Sequence, residues 1–287
     1  MPKQKNNATT SLKVPRFLLL TGRLLSVISS SLATRFAARL FTTPIRHALP
    51  KREMHMDLQS SQTRLLIPKL RKHINLYQYG EGEKKILLVH GWSGRGTQLV
   101  KIADALLSLG YSTISFDAPA HGKSAGKTTL MPEFIESILE IDMMYGPFEA
   151  AVGHSLGGMS LLNAMRKGLH LKKLVTIGSG DIIKDIMDDF IRALQLTPEI
   201  SDRMRRYFEQ REGETMESYS SYIAAGKIDI PVLVIHDNDD KDVPVKCAIH
   251  IHKHLKKGML KITKGLGHRK ILGDREVIND IAEFVQN

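Results

Sequence analysis

A glycine-framed pentapeptide, Gly153-His154-Ser155-Leu156-Gly157, stands between an apolar strand-like run, Phe148–Val152, and a helix-like run, Gly158–Leu169. No other stretch limits the possible folds as strongly. A tight strand-to-helix turn forces its central residue into strained backbone geometry, and glycines two positions either side remove the Cβ atoms that would clash there. The pattern therefore reads as a nucleophile elbow, with Gly153 and Gly157 as its glycines and the Ser155 hydroxyl standing clear at the edge of a sheet.

The surrounding chain has the rhythm such a turn requires. Short β-rich runs at Lys85–Val89, Tyr111–Phe116, Phe148–Val152, Lys173–Ile177 and Val232–His236 alternate with helical spacing over Thr97–Leu109, Leu130–Tyr145, Leu156–Leu169, Ala248–Leu255 and Arg275–Val285. Strand and helix in succession imply a mostly parallel central sheet with helices on both faces, joined by right-handed crossovers. His73–Tyr79 is expected as an edge strand at the start and Met259–Ile262 as one near the end. Between Ile177 and Val232 the rhythm breaks: residues 181–226 offer only helix-like segments (Ile182–Leu196, Pro198–Glu212, Glu217–Ala225). An insertion there reads as a small helical lid over the carboxyl edge of the sheet, where ligands bind in open α/β folds, or as ordinary surface helices.

Charge separates the chain into two parts. Ten Lys and Arg residues precede the first acidic residue, Glu53, and the remaining 31 nearly balance 30 Asp and Glu, so the net charge of +11 belongs to the N-terminal segment. The body at 53–287 has no nucleic-acid character, and no nucleic-acid partner is expected. Residues 17–41 are apolar but interrupted by Arg23, Arg35 and Arg39, too broken for the run of about 18 that a spanning helix needs. Residues 1–52 are expected as a basic amphipathic segment, a helix resting on an anionic membrane surface through residues 13–52 or docked on the body. Their acid-free, Ser- and Arg-containing character also resembles an organellar transit sequence. The expected location is cytoplasmic, with peripheral membrane contact left open. Cys247 is the single cysteine, so no intrachain disulfide forms.

A serine hydroxyl becomes a useful nucleophile only when a base takes its proton, and the base needs a third group to hold its tautomer. After the last interior strand comes His236-Asp237-Asn238-Asp239-Asp240-Lys241-Asp242-Val243-Pro244, and after the next one Gly265-Leu266-Gly267-His268. In the order Ser, acid, His this matches the arrangement built on the elbow. His268 is the expected base, on a flexible glycine loop. Asp240 is the preferred acid, three residues before Val243-Pro244; Asp237 lies close to the strand end, Asp239 and Asp242 are expected solvated or capping, and Asp181 is a less favoured alternative. The backbone N–H groups of Trp92, in His90-Gly91-Trp92, and of Leu156 are expected to form the oxyanion hole. His90 is read as structural and Asp117 as a loop-fixing hydrogen bonder.

With these motifs in register, residues 70–287 resemble an α/β-hydrolase. Phe116-Asp117-Ala118-Pro119-Ala120-His121-Gly122-Lys123-Ser124 and Gly265-Leu266-Gly267-His268-Arg269-Lys270-Ile271-Leu272 are similar to a group of largely uncharacterised bacterial members. The resemblance implies a Ser-Asp-His serine hydrolase that uses no cofactor; it implies no substrate.

Other candidate sites are weaker. Gly122-Lys123-Ser124 lacks the upstream glycine of a phosphate loop, and His250, His252 and His254 have no third ligand beside them, so no metal is expected and the histidines read as surface residues. The expected function is cleavage of a carboxylic ester or thioester through an acyl-enzyme, with a small-molecule acyl substrate. The alternatives are an acyltransferase using the same triad and a non-catalytic hydrolase-fold binding protein.

Overall fold

The computed structural model describes residues 14–287; Lys3, Lys5 and Lys13 of the basic segment lie outside the described residues. Strands β1 (Ser61–Ile67), β2 (Lys72–Tyr79), β3 (Lys85–Val89), β4 (Ser112–Asp117), β5 (Phe148–His154), β6 (Leu171–Ile177), β7 (Val232–Asp237) and β8 (Gly258–Thr263) form one sheet in the order β1-β2-β4-β3-β5-β6-β7-β8. From β4 through β8 every neighbouring pair is parallel, while β2 runs antiparallel to both β1 and β4. Because side chains alternate along a strand, β3 sends Ile86 and Leu88 into one core and Leu87 and Val89 into the other. Both faces are covered, so the interior strands read as continuous apolar runs.

The helices are α1 (Arg16–Ile28), α2 (Ser30–Phe41), α3 (Met54–Gln59), α4 (Val100–Ser108), α5 (Met131–Tyr145), α6 (Leu156–Arg166), α7 (Ile183–Ala193), α8 (Pro198–Glu212), α9 (Ser221–Ala225), α10 (Lys246–His254), α11 (Gly267–Lys270) and α12 (Arg275–Gln286). One face carries α4 and α12, through Ile102, Leu106, Ile281 and Phe284. The other carries α5, α6 and α10 together with the insertion α7–α9. Local chemistry sets several boundaries. Pro198 opens α8 and Gly213, at φ 74°, closes it in the left-handed conformation. The Asp274 side chain accepts from the Val277 amide at 3.1 Å and caps α12.

Two expectations are corrected. His73–Tyr79 belongs to β2, which is not an edge strand: β1 pairs outside it across the full register from Ser61↔Gln78 to Ile67↔Lys72. The reason lies in β1 itself, whose first four residues are all exposed and so lack the alternating apolar pattern that marks a half-buried strand. The N-terminal segment is two helices rather than one, broken at Ser29, which is extended at φ −165°, ψ 127°. A run of serines there competes for backbone hydrogen bonds and weakens the helix. The second helix joins the core. Ala33, Ala37 and Ala38 are buried, and their small side chains let α2 lie close on α8. Phe41 packs edge-on against Phe190 at 5.1 Å and beside Phe208 at 5.9 Å.

Candidate active site at the carboxyl edge

Ser155 sits between β5 and α6 at φ 52°, ψ −118°, a backbone conformation that costs a side-chain-bearing residue energy and is held only by strong surroundings. Both flanking glycines are needed. A Cβ on Gly153 would lie 2.6 Å from the Gly158 nitrogen, and one on Gly157 would lie 2.2 Å from the Val89 carbonyl oxygen. The turn thus presses α6 directly onto the end of β3. The Ser155 amide donates to the Ile177 carbonyl at 2.8 Å, tying the turn to β6. Its hydroxyl makes no hydrogen bond among the described residues.

Asp240 and His268 arrive from two other loops. His268 Nδ1 lies 2.6 Å from Asp240 Oδ2, leaving Nε2 as the ring nitrogen without a protein partner. The other carboxylate oxygen, Oδ1, accepts from the amides of Asp242 at 2.8 Å and Val243 at 2.9 Å. Burial opposes charge on Asp240, but these hydrogen bonds and the facing imidazole outweigh it and hold the carboxyl below its ordinary value. The His268 loop is fastened by its neighbours: Asp237 accepts from the Leu266 amide at 3.0 Å and Asp239 from the Gly265 amide at 3.0 Å. Asp239, expected solvated or capping, instead holds the histidine loop.

Ser155 and His268 meet consecutive residues at the end of β6, Ile177 through the Ser155 amide and Gly178 beside the His268 ring. Gly178 follows Ile177, and a Cβ on it would lie 3.3 Å from His268 Nδ1 and 3.5 Å from Asp240 Oδ2. On the opposite side of the elbow, a Cβ on Gly91 would lie 3.0 Å from that of Ser155. The Trp92 and Leu156 amides find no acceptor among the described residues; Leu156 opens α6, where intrahelical partners for N–H groups are missing.

Three histidines surround this set with roles that the sequence did not reveal. His154 packs against His268, tilted by 45° with centroids 4.7 Å apart, and bonds its carbonyl through Nε2 at 2.9 Å. Burial and the neighbouring His268 charge depress His154 to about 3, so it stays neutral. His236 lies 3.5 Å from Asp240 Oδ2 and donates from Nε2 to the Val243 carbonyl at 2.9 Å. His121, depressed by burial to about 4, accepts through Nε2 from the Ser93 amide at 3.0 Å and steadies the loop after Trp92. The one available signal was their position, each within a few residues of a singled-out motif. His90, read as structural, accepts from the Ala118 amide at 3.0 Å. Asp117, read as a loop fixer, accepts from the amides of Gly96 and Lys123 and from the Tyr77 hydroxyl.

A second acid–histidine pair stands at the end of β6. Asp181 Oδ2 lies 2.5 Å from His250 Nδ1, and its Oδ1 accepts from the Tyr222 amide at 2.9 Å, fixing the start of α9. His250 is therefore not a free surface histidine; it packs between Tyr222 and His254. His252 bonds the Gly258 carbonyl. Burial pushes the Cys247 thiol up to about 12, which removes it as a nucleophile at neutral pH. Two surface clefts, one beside Leu233 and Phe284 and one beside Glu133 and Tyr219, lie away from Ser155.

Residues 86–280 match the alpha/beta hydrolase family, and the chain belongs to that family. No curated protein matches it in sequence. Solved structures share the fold at low identity. An esterase from Exiguobacterium antarcticum is 17% identical with a TM-score of 0.64, covering 79% of this chain and 100% of its own. An esterase from Pyrococcus furiosus is 16% identical with a TM-score of 0.66, covering 85% and 98%. The mouse alpha/beta hydrolase domain-containing protein 10 is 18% identical with a TM-score of 0.62, covering 79% and 97%.

Proposed function

We propose that this member of the alpha/beta hydrolase family is a serine hydrolase that cleaves a carboxylic ester or thioester through an acyl-enzyme. The observation that carries the reading is the Asp240–His268 bond of 2.6 Å formed beside a serine at φ 52° on the elbow. Asp240 holds the Nδ1 proton of His268, so Nε2 is the basic nitrogen. Ser155 Oγ attacks the substrate carbonyl as its proton passes to His268 Nε2, and the carbonyl π electrons move onto the oxygen. The Trp92 and Leu156 amides receive that oxyanion. When the tetrahedral intermediate collapses, the bond to the leaving oxygen or sulfur breaks and the leaving group takes the proton from His268. Water then repeats the sequence on the acyl-enzyme, restoring Ser155 and releasing the acid. The insertion α7–α9 serves as the lid, bounding the acyl side of the site. No step draws on a cofactor.

The test is labelling with a fluorophosphonate probe, wild type against Ser155→Ala, followed by turnover of short- and long-chain p-nitrophenyl esters. Labelling confined to wild type and ester turnover support the reading. Equal labelling of both, or no turnover of any ester or thioester, overturns it.

A further inference from the structure

Helix α1 has two unlike sides. Inward, Gly22 is buried against Leu196, Arg23 donates to the Gln195 side chain, and Leu25 packs on the core. Outward stand Phe17, Leu20, Leu24, Val27 and Ile28, each between 62% and 86% exposed. Their spacing of three and four residues places all five on one stripe. A contiguous apolar stripe of this kind marks a surface that meets something else.

The charges around it identify the partner. Between Val14 and Arg52 the chain carries seven arginines and lysines and no acid. Arg16 borders the apolar stripe, and Arg35 and Arg39 share the outward side of α2 with Leu32. Arg16, Arg35 and Arg39 form no ion pair among the described residues. From this combination we infer that the outward side of α1 docks on the surface of an anionic lipid bilayer, with the leucines and Phe17 in the interface and the arginines among the phosphates. The helix is 13 residues long, about 20 Å, well short of the ~30 Å hydrocarbon core, and so lies in the plane of the surface. No helix among the described residues is long and apolar enough to cross a membrane. Self-association through the same face is disfavoured, because a two-fold interface brings the arginines of both copies together. The inference does not depend on the hydrolase reading.

The experiment is co-sedimentation of the full chain with vesicles of phosphatidylcholine alone and of phosphatidylcholine with phosphatidylglycerol. Binding is expected to the anionic vesicles, weakened by added salt and weak on phosphatidylcholine. Leu20→Asp with Leu24→Asp should weaken it by about a hundredfold or more, from the lost apolar burial. Arg16→Gln, Arg35→Gln and Arg39→Gln together should weaken it by roughly a hundredfold, at about fivefold per charge. Circular dichroism of each variant verifies folding, and Thr21→Asp at the border of the stripe supplies a second probe should the leucine pair fail to fold. The inference is overturned by a protein that stays in solution with anionic vesicles, by equal binding to both vesicle types, or by binding that survives the aspartate variants. A concentration-dependent dimer in vesicle-free solution, abolished by the same variants, also overturns it, since the occupant is then a second copy.

Discussion

Two acid–histidine pairs end adjacent parallel strands, and they differ in everything except their chemistry. Asp240 follows β7 and meets His268; Asp181 follows β6 and meets His250. The first carboxylate is fed by two further backbone amides and a nearby imidazole, and its pKa falls. The second is buried with one amide partner, and burial pushes its pKa up despite His250. Hydrogen bonds to the charged form thus decide which aspartate stays ionised with margin. Placement decides the rest: His268 borders Gly178 next to the elbow, whereas His250 lies against Tyr222 and the insertion. A sequence position after a strand offers an acid; only the packing beyond it makes that acid useful.

Substitutions can break this comparison, beginning with the largest effect. Ser155→Ala and His268→Gln should each lower kcat by about 10⁴-fold or more on whichever ester is turned over, while His250→Gln changes it by less than about threefold. Comparable losses from both histidine variants would erase the distinction. Asp240→Asn is expected to cost about 10³- to 10⁴-fold in kcat with a normal circular dichroism spectrum, because the wrong His268 tautomer is then favoured. Asp181→Asn should leave kcat within about threefold and act on stability alone.

A pH series sharpens the comparison further. His154 and His121 titrate at about 3 and about 4 in the folded protein and near 6.5 when unfolded. The unfolded chain therefore binds more protons below 6.5, so stability is fully present above that value and is lost as pH falls toward 4. Each ring should remove about 2 kcal/mol by pH 5, read from urea midpoints at pH 7 and pH 5. His121→Gln should flatten that dependence. Among substitutions at the candidate site, Trp92→Ala is expected to cost the least, less than about tenfold in kcat, because the oxyanion contact assigned to this residue is a backbone amide. A loss as deep as that of Asp240→Asn would place the indole itself in the chemistry.

The parts of this molecule that were legible in its sequence are those specified locally. The elbow needs Gly153 and Gly157 within five residues, and the interior strands announce themselves as apolar runs such as Lys85–Val89. The order Ser155, Asp240, His268 followed from where strands ended, and Asp240 does meet His268. What stayed hidden depends on contacts across long stretches of chain. β1 carries too few apolar residues to signal a strand and is specified by pairing with β2. Asp239 reads as one more polar loop residue until the Gly265 amide is brought to it from across β8. His154 was in plain view inside the pentapeptide, yet its bond to the His268 carbonyl depends on a residue 114 positions away. The break at Ser29 is local, but the seating of α2 on α8 is not.

That seating reaches the loops at the carboxyl edge of the sheet through the link after α2. Arg46 donates to the carbonyls of Ala120, Ser124 and Gly126, the Ile45 amide donates to the Ser93 hydroxyl, and Arg95 reaches back to the His47 carbonyl. The leading segment is in this sense a buckle. Excising it would strip the cover from Phe190 and Phe208 and unfasten the loop that follows Trp92 in one cut, so a shortened enzyme would lose solubility and catalytic competence together.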